Sequence, residues 1–271
     1  MGEKFLAAAK VGTALLKAFS GMTAVRDGHR VVTYESAYKV FSAMCKVKGY
    51  RISAEGGERI NPGAGWVVSK HISGKDIPDL SSMLYKATGR MPYFVARSTL
   101  VEDGWHKAQY EELGAKFIDR ENTTSAQMRD IVETVGRGNL MVIFPEGTRI
   151  KGRVGEFHPG FAALACMLLE RYEINAPIYC AGIERMAGIG AKIRVAPPVY
   201  AAGFGGYSGT KAERREKMHS MAAALREKVA RLSGLGAAGE KAGSSIDEII
   251  SQSWLALSVF SDPSARCFFG I

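Results

Sequence analysis

Paired cysteines and long apolar runs are both missing from this sequence. Its four cysteines are Cys45, Cys166, Cys180 and Cys267. They stand far apart with no CxxC pair, so we predict reduced thiols and neither a disulfide framework nor a zinc site. No run reaches the roughly 18 apolar residues of a membrane-spanning helix, because Lys10 and Lys17 interrupt the nearest candidate. With no secretory cleavage pattern either, we expect a cytoplasmic protein that contacts membranes only peripherally.

Several common catalytic and nucleotide-binding motifs are also absent. The chain has no GxSxG nucleophile elbow, no GxGxxG dinucleotide turn and no GxxxxGK[ST] phosphate loop. These absences argue against serine hydrolases of the elbow type, nicotinamide-dependent enzymes and P-loop NTPases.

Positive charge exceeds negative charge. The 271 residues include 36 Lys and Arg against 27 Asp and Glu, giving a formal net charge of +9, and 46% of them are hydrophobic. The apolar fraction is ordinary for a globular domain. The excess of positive charge favours an anionic membrane surface, a phosphate-bearing or CoA-like substrate, or a nucleic acid as partner. No nucleic-acid partner is expected, because aromatic residues are not interleaved with the basic ones as stacking platforms.

Short apolar runs alternate with helical patterns from residue 48 onward. We predict strands at 50–53, 65–69, 93–97, 115–119, 140–144, 177–183 and 192–195. We predict helices at 80–87, 125–135, 160–172 and 211–232. A capping box of Thr124 and Gln127 opens the second of these helices. The alternation predicts an α/β fold with a largely parallel or mixed sheet flanked by helices.

Both ends of the chain are predicted to add helices to this domain. Amphipathic patterns at 3–19 and 34–47, with a turn at 26–28 leading to the second, predict an N-terminal two-helix motif. This motif either packs on the core or docks on a lipid surface. A Gly-, Ala- and Ser-rich linker at 233–244 precedes a further helix. The predicted division is 1–47, a membrane-docking motif; 48–232, the main domain; and 233–271, a linker and C-terminal helix.

One pair of residues suits general-base chemistry. His71 follows an apolar strand, and Asp76 stands five residues later, beyond Gly74. A turn at Gly74 and a helix beginning near Pro78 would return the Asp76 carboxylate to the imidazole. That contact would fix the tautomer and leave the other ring nitrogen as a base. Taken alone, the pattern favours the plainer interpretation, in which Asp76 caps a helix and His71 has no role.

Two further segments place polar residues directly after predicted strands. Arg120 follows the strand at 115–119, and Pro145-Glu146-Gly147-Thr148-Arg149 follows the strand at 140–144. Gly147 permits a tight turn, which we expect to expose Glu146, Thr148 and Arg149. An arginine there offers a planar fork for a phosphate. A solvated strand end and an ordinary polar turn are the alternatives.

Together these segments resemble the 1-acylglycerol-3-phosphate (lysophosphatidic acid) acyltransferase family. The family's blocks are matched by His71-x4-Asp76, Gly114-x-x-Phe117-Ile118-Asp119-Arg120, Phe144-Pro145-Glu146-Gly147-Thr148-Arg149 and, more weakly, Ala176-Pro177-Ile178. The run Phe94-Val95-Ala96-Arg97 is similar to a family run that ends in lysine. The resemblance covers about 65–199. It departs from the family pattern at Lys70, where asparagine is usual, and at Cys180, where a second proline is usual.

The resemblance implies a single glycerolipid-acyltransferase domain acting at an anionic membrane surface. Its reaction would move a fatty acyl chain from acyl-CoA or acyl-carrier protein to the free hydroxyl of 1-acylglycerol-3-phosphate, giving phosphatidic acid for phospholipid synthesis. His71 would be the base, and Asp76 would orient it. The acceptor would be bound by Arg97, Phe117, Arg120, Glu146, Gly147, Thr148 and Arg149. No metal is implied, and no cofactor besides the donor substrate.

Two alternatives stay open at this point. The same chemistry could act on another lysolipid, a glycerol phosphate or a phosphate-free lipid acceptor. A non-catalytic lipid-binding protein is less consistent with the sequence, because both His71 and Asp76 are present.

Overall fold

The computed structural model describes residues 23–101, 103–187, 189–206 and 208–235. The predicted helices at 3–19 and beyond residue 245 lie outside these ranges, as does most of the predicted linker. Within the ranges, Cys45, Cys166 and Cys180 are free thiols, as predicted. The predicted division of the chain at residues 47 and 232 stays a prediction.

Ten strands and six α-helices form from the described residues. The strands are β1 (Thr23–Arg26), β2 (His29–Val32), β3 (Arg51–Glu55), β4 (Gly65–Ser69), β5 (Tyr93–Arg97), β6 (Ala115–Ile118), β7 (Leu140–Ile143), β8 (Pro177–Met186), β9 (Gly190–Val195) and β10 (Val199–Tyr200). The helices are α1 (Tyr34–Lys48), α2 (Asp76–Thr88), α3 (Gly104–Glu112), α4 (Ser125–Gly136), α5 (Gly160–Tyr172) and α6 (Lys211–Leu232).

Strands β3 to β10 form one mixed sheet. Its order is β3-β9-β8-β4-β7-β5-β6, with β10 paired to β8. The strands from β8 across to β6 pair in parallel, whereas β9 and β10 run antiparallel to β8. Every residue of β4 and β7 is buried, as is typical of parallel strands covered on both faces. The prediction of an α/β fold with a mixed sheet flanked by helices is confirmed.

Helices cover both faces of this sheet. Trp66 and Val68 of β4 pack with buried residues of α4, α5 and α6. Val67, between them, packs with buried residues of α2 on the opposite face. Successive side chains of a strand point to opposite faces, so the central strands contribute to both apolar layers.

All seven predicted strands are present, and two of them end one residue earlier than predicted. The predicted strands include Asp119 and Phe144, which the structure places just after the ends of β6 and β7. The Asp119 carboxylate accepts the backbone N–H groups of Glu121 and Asn122 at 3.0 and 3.1 Å. The Phe144 carbonyl accepts the N–H of Gly147 at 3.0 Å. Both turns draw the chain out of the strand before the predicted end.

A β-hairpin comes between the two predicted N-terminal helices. The predicted turn is present, and Asp27 and Gly28 have φ values of 47° and 77°. Two central residues with positive φ are what a two-residue hairpin requires. The turn leads to the predicted second helix, α1, but the strand β2, which the sequence pattern does not predict, lies between them. Helix α3 is also missing from the predicted elements; it begins after Asp103, whose carboxylate accepts the His106 N–H at 2.8 Å.

Helix α1 packs against the rest of the domain. Its residues Tyr34, Val40 and Phe41 are buried, and the Tyr34 hydroxyl donates to the Ser81 carbonyl of α2 at 3.2 Å. Of the two interpretations of this amphipathic helix, packing on the core is the one observed. None of the helices in the described ranges has the length and hydropathy needed to cross a lipid bilayer.

The close packing of α6 on β8 yields a prediction about stability. A Cβ added at Gly182 of β8 would overlap the backbone of Leu232 and Ser233 at the end of α6. We therefore expect Gly182→Ala to lower the free energy of unfolding by about 1–3 kcal/mol. The matched control is Gly203→Ala, where an added Cβ meets nothing within 4 Å. Thermal and denaturant unfolding of the two variants checks this, and equal stability of both would contradict the packing described here.

Candidate active site

The predicted site residues meet at one edge of the sheet. His71 follows β4, Arg97 ends β5, Arg120 follows β6 and Arg149 lies in the turn after β7. These four strands are parallel neighbours, so their carboxyl ends lie side by side. This is the edge at which open α/β sheets bind ligands.

A carboxylate fixes the orientation of His71. Asp76 is the first residue of α2, and its Oδ2 accepts a hydrogen bond from His71 Nδ1 at 2.9 Å. The same oxygen accepts the backbone N–H groups of Ser73, at 2.7 Å, and Ile72. Asp76 therefore closes the turn before α2 and orients the imidazole at once, but it does not cap the helix, whose N-cap residue is Lys75 with no side-chain capping bond. Helix α2 begins two residues before the predicted start near Pro78.

The Asp76 carboxylate is ionised although it is fully buried. Its side chain has no solvent exposure, and its Oδ1 accepts a hydrogen bond from the guanidinium of Arg185. Burial favours the neutral acid, but the hydrogen bond to His71 and the charge of Arg185 outweigh it, so the pKa of Asp76 lies below its ordinary value. An ionised Asp76 keeps the proton of His71 on Nδ1 and leaves Nε2 as the acceptor.

The other side of the imidazole faces a cleft. The His71 ring stacks on Phe144 with centroids 4.5 Å apart, and the histidine side chain is 15% exposed. Arg149 Nε lies 3.4 Å from His71 Nε2. The base nitrogen and the guanidinium therefore open onto the same cleft.

Glu146 points into the protein, and the expectation that the turn exposes it is wrong. The residue is 4% exposed. One carboxylate oxygen accepts the N–H of His71 at 2.7 Å and the other accepts the N–H of Gly155 at 2.6 Å. Burial raises the pKa of Glu146, and these two donors offset only part of that effect. Glu146 therefore fixes the His71 backbone, because two inward N–H groups need an acceptor.

Two arginines converge on the carbonyl of Gly147. Arg97 Nη2 donates to this oxygen at 2.8 Å, and Arg120 Nη1 donates to it as well. Gly147 has φ of 69°, which favours glycine in this turn, and a Cβ there would lie 2.8 Å from Arg120 Nη1 and displace the guanidinium. No carboxylate in the described part of the chain forms an ion pair with either arginine. Two such guanidiniums on one neutral oxygen have the charge and geometry that suit an anionic ligand.

Lys70, next to His71, is turned away from the cleft. It is 1% exposed, and its Nζ donates to the Arg153 carbonyl at 3.1 Å. Burial lowers the pKa of this ammonium, while Glu146 and Asp76 oppose the shift. Lys70 thus helps Glu146 to hold the segment 153–155 beneath the site.

A cavity of about 990 Å³ opens beside His71. Arg97, Phe117, Arg120, Gly147, Thr148 and Arg149 are all in its lining. Its deeper wall is apolar and includes Phe94, Val95, Ile118, Met128, Ile131 and Leu164. Of the predicted acceptor-binding residues, only Glu146 does not line it. A cavity with a charged entrance and an apolar interior suits an amphipathic ligand.

The sequence-based prediction did not include three polar residues of this region, Arg185, Asp79 and Tyr50. Arg185 of β8 donates to both Asp76 and Asp79. Tyr50 donates its hydroxyl to Asp79 Oδ2 at 2.9 Å. The only signal for them in the sequence is the charged pair Glu184-Arg185 after the apolar run at 177–183. Such a pair is equally typical of a strand end exposed to solvent.

Metal ligands are not grouped at this site. Among the residues that the structure describes, no three His, Cys, Asp or Glu side chains are arranged to hold a metal ion. The absence of a metal and of a cofactor from the reaction stays a prediction.

Comparison with known proteins identifies relatives of this region. Residues 51–184 match the family model described as Acyltransferase. A curated protein of Mycoplasma pneumoniae (strain ATCC 29342 / M129 / Subtype 1), named probable 1-acyl-sn-glycerol-3-phosphate acyltransferase, is 28% identical over 138 residues, 49% of this chain and 52% of that protein. The chain thus spans about half the length of this relative. The crystal structure of the lysophosphatidic acid acyltransferase PlsC from Thermotoga maritima aligns with a TM-score of 0.47 and 19% identity, over 83% of this chain and 91% of that chain.

The contacts of Glu146 predict a stability effect. In Glu146→Gln, one of the two inward N–H groups would face an amide NH₂ and lose its acceptor. An unsatisfied buried donor costs about 1–3 kcal/mol, so we expect a lowered Tm. The matched control is Glu156→Gln on the same segment, since the Glu156 side chain is 84% exposed and pairs with Arg226 at 3.2 Å; exposed pairs contribute little. Equal Tm values for the two variants, measured by differential scanning fluorimetry, would be inconsistent with the role described for Glu146.

Proposed function

We propose that this chain transfers a fatty acyl group from a thioester to a hydroxyl of a glycerol-phosphate lipid; the match of residues 51–184 to the family model described as Acyltransferase supports this reaction. The proposed acceptor is 1-acylglycerol-3-phosphate, and the product is phosphatidic acid for phospholipid synthesis. One observation carries the proposal: the His71–Asp76 pair opens onto an apolar cavity whose lining includes three exposed arginines. The similarity to a probable 1-acyl-sn-glycerol-3-phosphate acyltransferase supports this choice of acceptor.

His71 is the general base in the proposed step. Its Nδ1–H donates to Asp76, so Nε2 has the ring lone pair that accepts a proton. The acceptor hydroxyl oxygen attacks the thioester carbonyl carbon while its proton passes to Nε2. The tetrahedral intermediate then collapses with cleavage of the C–S bond, and the imidazolium returns the proton to the leaving thiolate. The acyl group moves directly to the acceptor, with no acyl-enzyme.

The three arginines suit the acceptor phosphate. Arg97 and Arg120 already share one carbonyl, that of Gly147, and Arg149 reaches His71 Nε2. A phosphate between them would accept several charge-assisted hydrogen bonds. In the proposed complex Arg149 turns from Nε2 to the phosphate, so that the hydroxyl takes its place beside the base. Phe117 and Thr148 complete this end of the cavity.

The apolar interior suits the fatty acyl chain. Burying a methylene group contributes about 0.8 kcal/mol, so a chain in this cavity holds the thioester near His71. We propose acyl-CoA or acyl-carrier protein as the donor and no further cofactor. The proposed place of action is the cytoplasmic face of an anionic membrane, where the protein binds peripherally, as its net charge of +9 favours.

Removing the base should abolish transfer. We expect His71→Ala to lose about a hundred- to ten-thousandfold in kcat, which is the usual contribution of general-base catalysis. Asp76→Asn should lose less, because the base remains and only its orienting charge is removed. The measurement is transfer of a labelled acyl group from acyl-CoA to 1-acylglycerol-3-phosphate.

A second histidine provides the control for this experiment. His106 is on helix α3, and its Nδ1 lies 3.0 Å from Oδ1 of Asp103, the residue before the helix. His106 is not part of the cavity lining. We expect His106→Ala to retain the wild-type rate. Wild-type kcat in His71→Ala would refute the proposed mechanism.

Arg149→Lys separates acceptors with a phosphate from acceptors without one. Lysine keeps the charge but loses the planar fork, so we expect a roughly ten- to hundredfold fall in kcat/KM for the phosphorylated acceptor. With a monoacylglycerol, which has no phosphate, the Arg149→Lys variant should have the same low rate as the wild type. Arg120→Lys should behave similarly, and the double variant should be non-additive if both side chains hold one phosphate.

The control for Arg149 is an arginine outside the cavity. Arg137→Lys changes an exposed residue whose partner is Glu133, at 3.0 Å, and should leave both acceptors unaffected. If Arg149→Lys lowers Tm and lowers kcat/KM equally for both acceptors, the role of the arginine is to stabilise its turn and not to bind phosphate. The phosphate-free acceptor would then be the better candidate.

A further inference from the structure

Arg185 lies behind the His71–Asp76 pair, on the side away from the cavity. It is near the end of β8, and its guanidinium bridges the first turn of α2. Nη2 donates to Asp76 Oδ1 and Nη1 to Asp79 Oδ2. Nη1 also donates to the Tyr50 hydroxyl at 2.8 Å. One side chain therefore joins the strand β8 to both carboxylates.

The two carboxylates need this cation. Asp76 and Asp79 both have no solvent exposure, and they lie three residues apart on one helix. Like charges at this spacing repel each other, and a buried charge without a partner is costly. Burial raises the pKa of Asp79, with Arg185 opposing it, whereas that of Asp76 is lowered. The guanidinium thus permits an ionised Asp76 beside a second acid.

We propose that Arg185 is a positioning residue for His71. By holding Asp76 Oδ1 it directs Oδ2 to His71 Nδ1, and its charge sets how tightly the His71–Asp76 pair holds a proton. Arg185 does not line the cavity, so it acts only through Asp76. The kinetic part of this inference rests on the proposed acyl transfer, while the part about proton binding does not.

Several other charged or titratable groups surround the pair and stay in place in the test. Those facing His71 are Arg149 at Nε2 and Glu146 at the backbone N–H. Those near Asp76 and Asp79, besides Arg185, are Lys70, Tyr50, Cys45 and Lys75, whose ammonium lies 5.5 Å from the centre of the Tyr50 ring. A change seen on replacing Arg185 alone is therefore assigned to its guanidinium.

The sign of the expected change follows from electrostatics. Arg185→Gln removes a positive charge in contact with Asp76, so a proton shared by Asp76 and His71 is bound more tightly. The titration of the His71 ring should then move to higher pH. The acid limb of kcat/KM against pH should move in the same direction, since it reports protonation of the base.

The test compares Arg185→Gln with Arg194→Gln in the full chain. Arg194, on neighbouring β9, pairs with Glu184 at 2.7 Å and with Glu55 at 3.2 Å, so it is also a strand arginine between two acids. The first measurement is the pH titration of the His71 ring by NMR, with the His71 signal assigned from His71→Ala. The second is kcat and KM for acyl transfer. We expect Arg185→Gln to shift the titration and to lower kcat roughly ten- to hundredfold with unchanged KM; Arg194→Gln should do neither.

Two further variants keep the test decisive. Arg185→Lys retains the charge but loses the fork, so its titration should stay near that of the wild type while kcat falls. This result is expected even if Arg185→Gln does not fold. In an Asp76→Asn background, Arg185→Lys should lower kcat little further, because the arginine acts through that carboxylate.

Different results would contradict the positioning role of Arg185 and the proposed acyl transfer. An unshifted His71 titration in folded Arg185→Gln, or wild-type kcat in Arg185→Lys, would overturn the positioning role. If the wild type transfers no acyl group, the proposed function fails, and the NMR titration still decides whether Arg185 controls the pair.

Discussion

The buried carboxylate of Asp76 is the constraint on which this site depends. A charge without solvent exposure is tolerated only when every oxygen has partners. Oδ2 accepts His71 Nδ1 and two backbone N–H groups, and Oδ1 accepts Arg185. These bonds tie the end of β4, the start of α2 and the end of β8 to one group. The imidazole is thereby held in one orientation before any ligand binds.

A second buried carboxylate completes the support of the histidine. Glu146 accepts the backbone N–H of His71, while Asp76 accepts its ring N–H. Glu146 lies in the turn after β7, and Asp76 is the first residue of the helix that follows β4, a parallel strand next to β7. Backbone and side chain of His71 are thus fixed independently, and only Nε2 stays directed to the cleft. Such preorganisation is what general-base catalysis requires of a scaffold.

The sequence predicts what local patterning determines. The central strands, the helices α4 to α6 and the capping box of Thr124 follow from apolar periodicity and end signals, and His71 and Asp76 from their short spacing. The inward orientation of Glu146 and the contact of Arg185 with Asp76 do not follow from it. Glu146 lies 75 positions from His71, and Arg185 lies 109 positions from Asp76. Only the order of the strands in the sheet brings such distant groups together.

The most direct test of the account is the preference of the wild-type chain between two acceptors that differ only in a phosphate. We would measure kcat/KM for acyl transfer from acyl-CoA or acyl-carrier protein to 1-acylglycerol-3-phosphate and to the matching 1-acylglycerol. The cluster of Arg97, Arg120 and Arg149 beside the base predicts labelled phosphatidic acid and a kcat/KM at least about a hundredfold higher for the phosphorylated acceptor. Equal values for the two acceptors, or release of free fatty acid with no transfer to either, would contradict it.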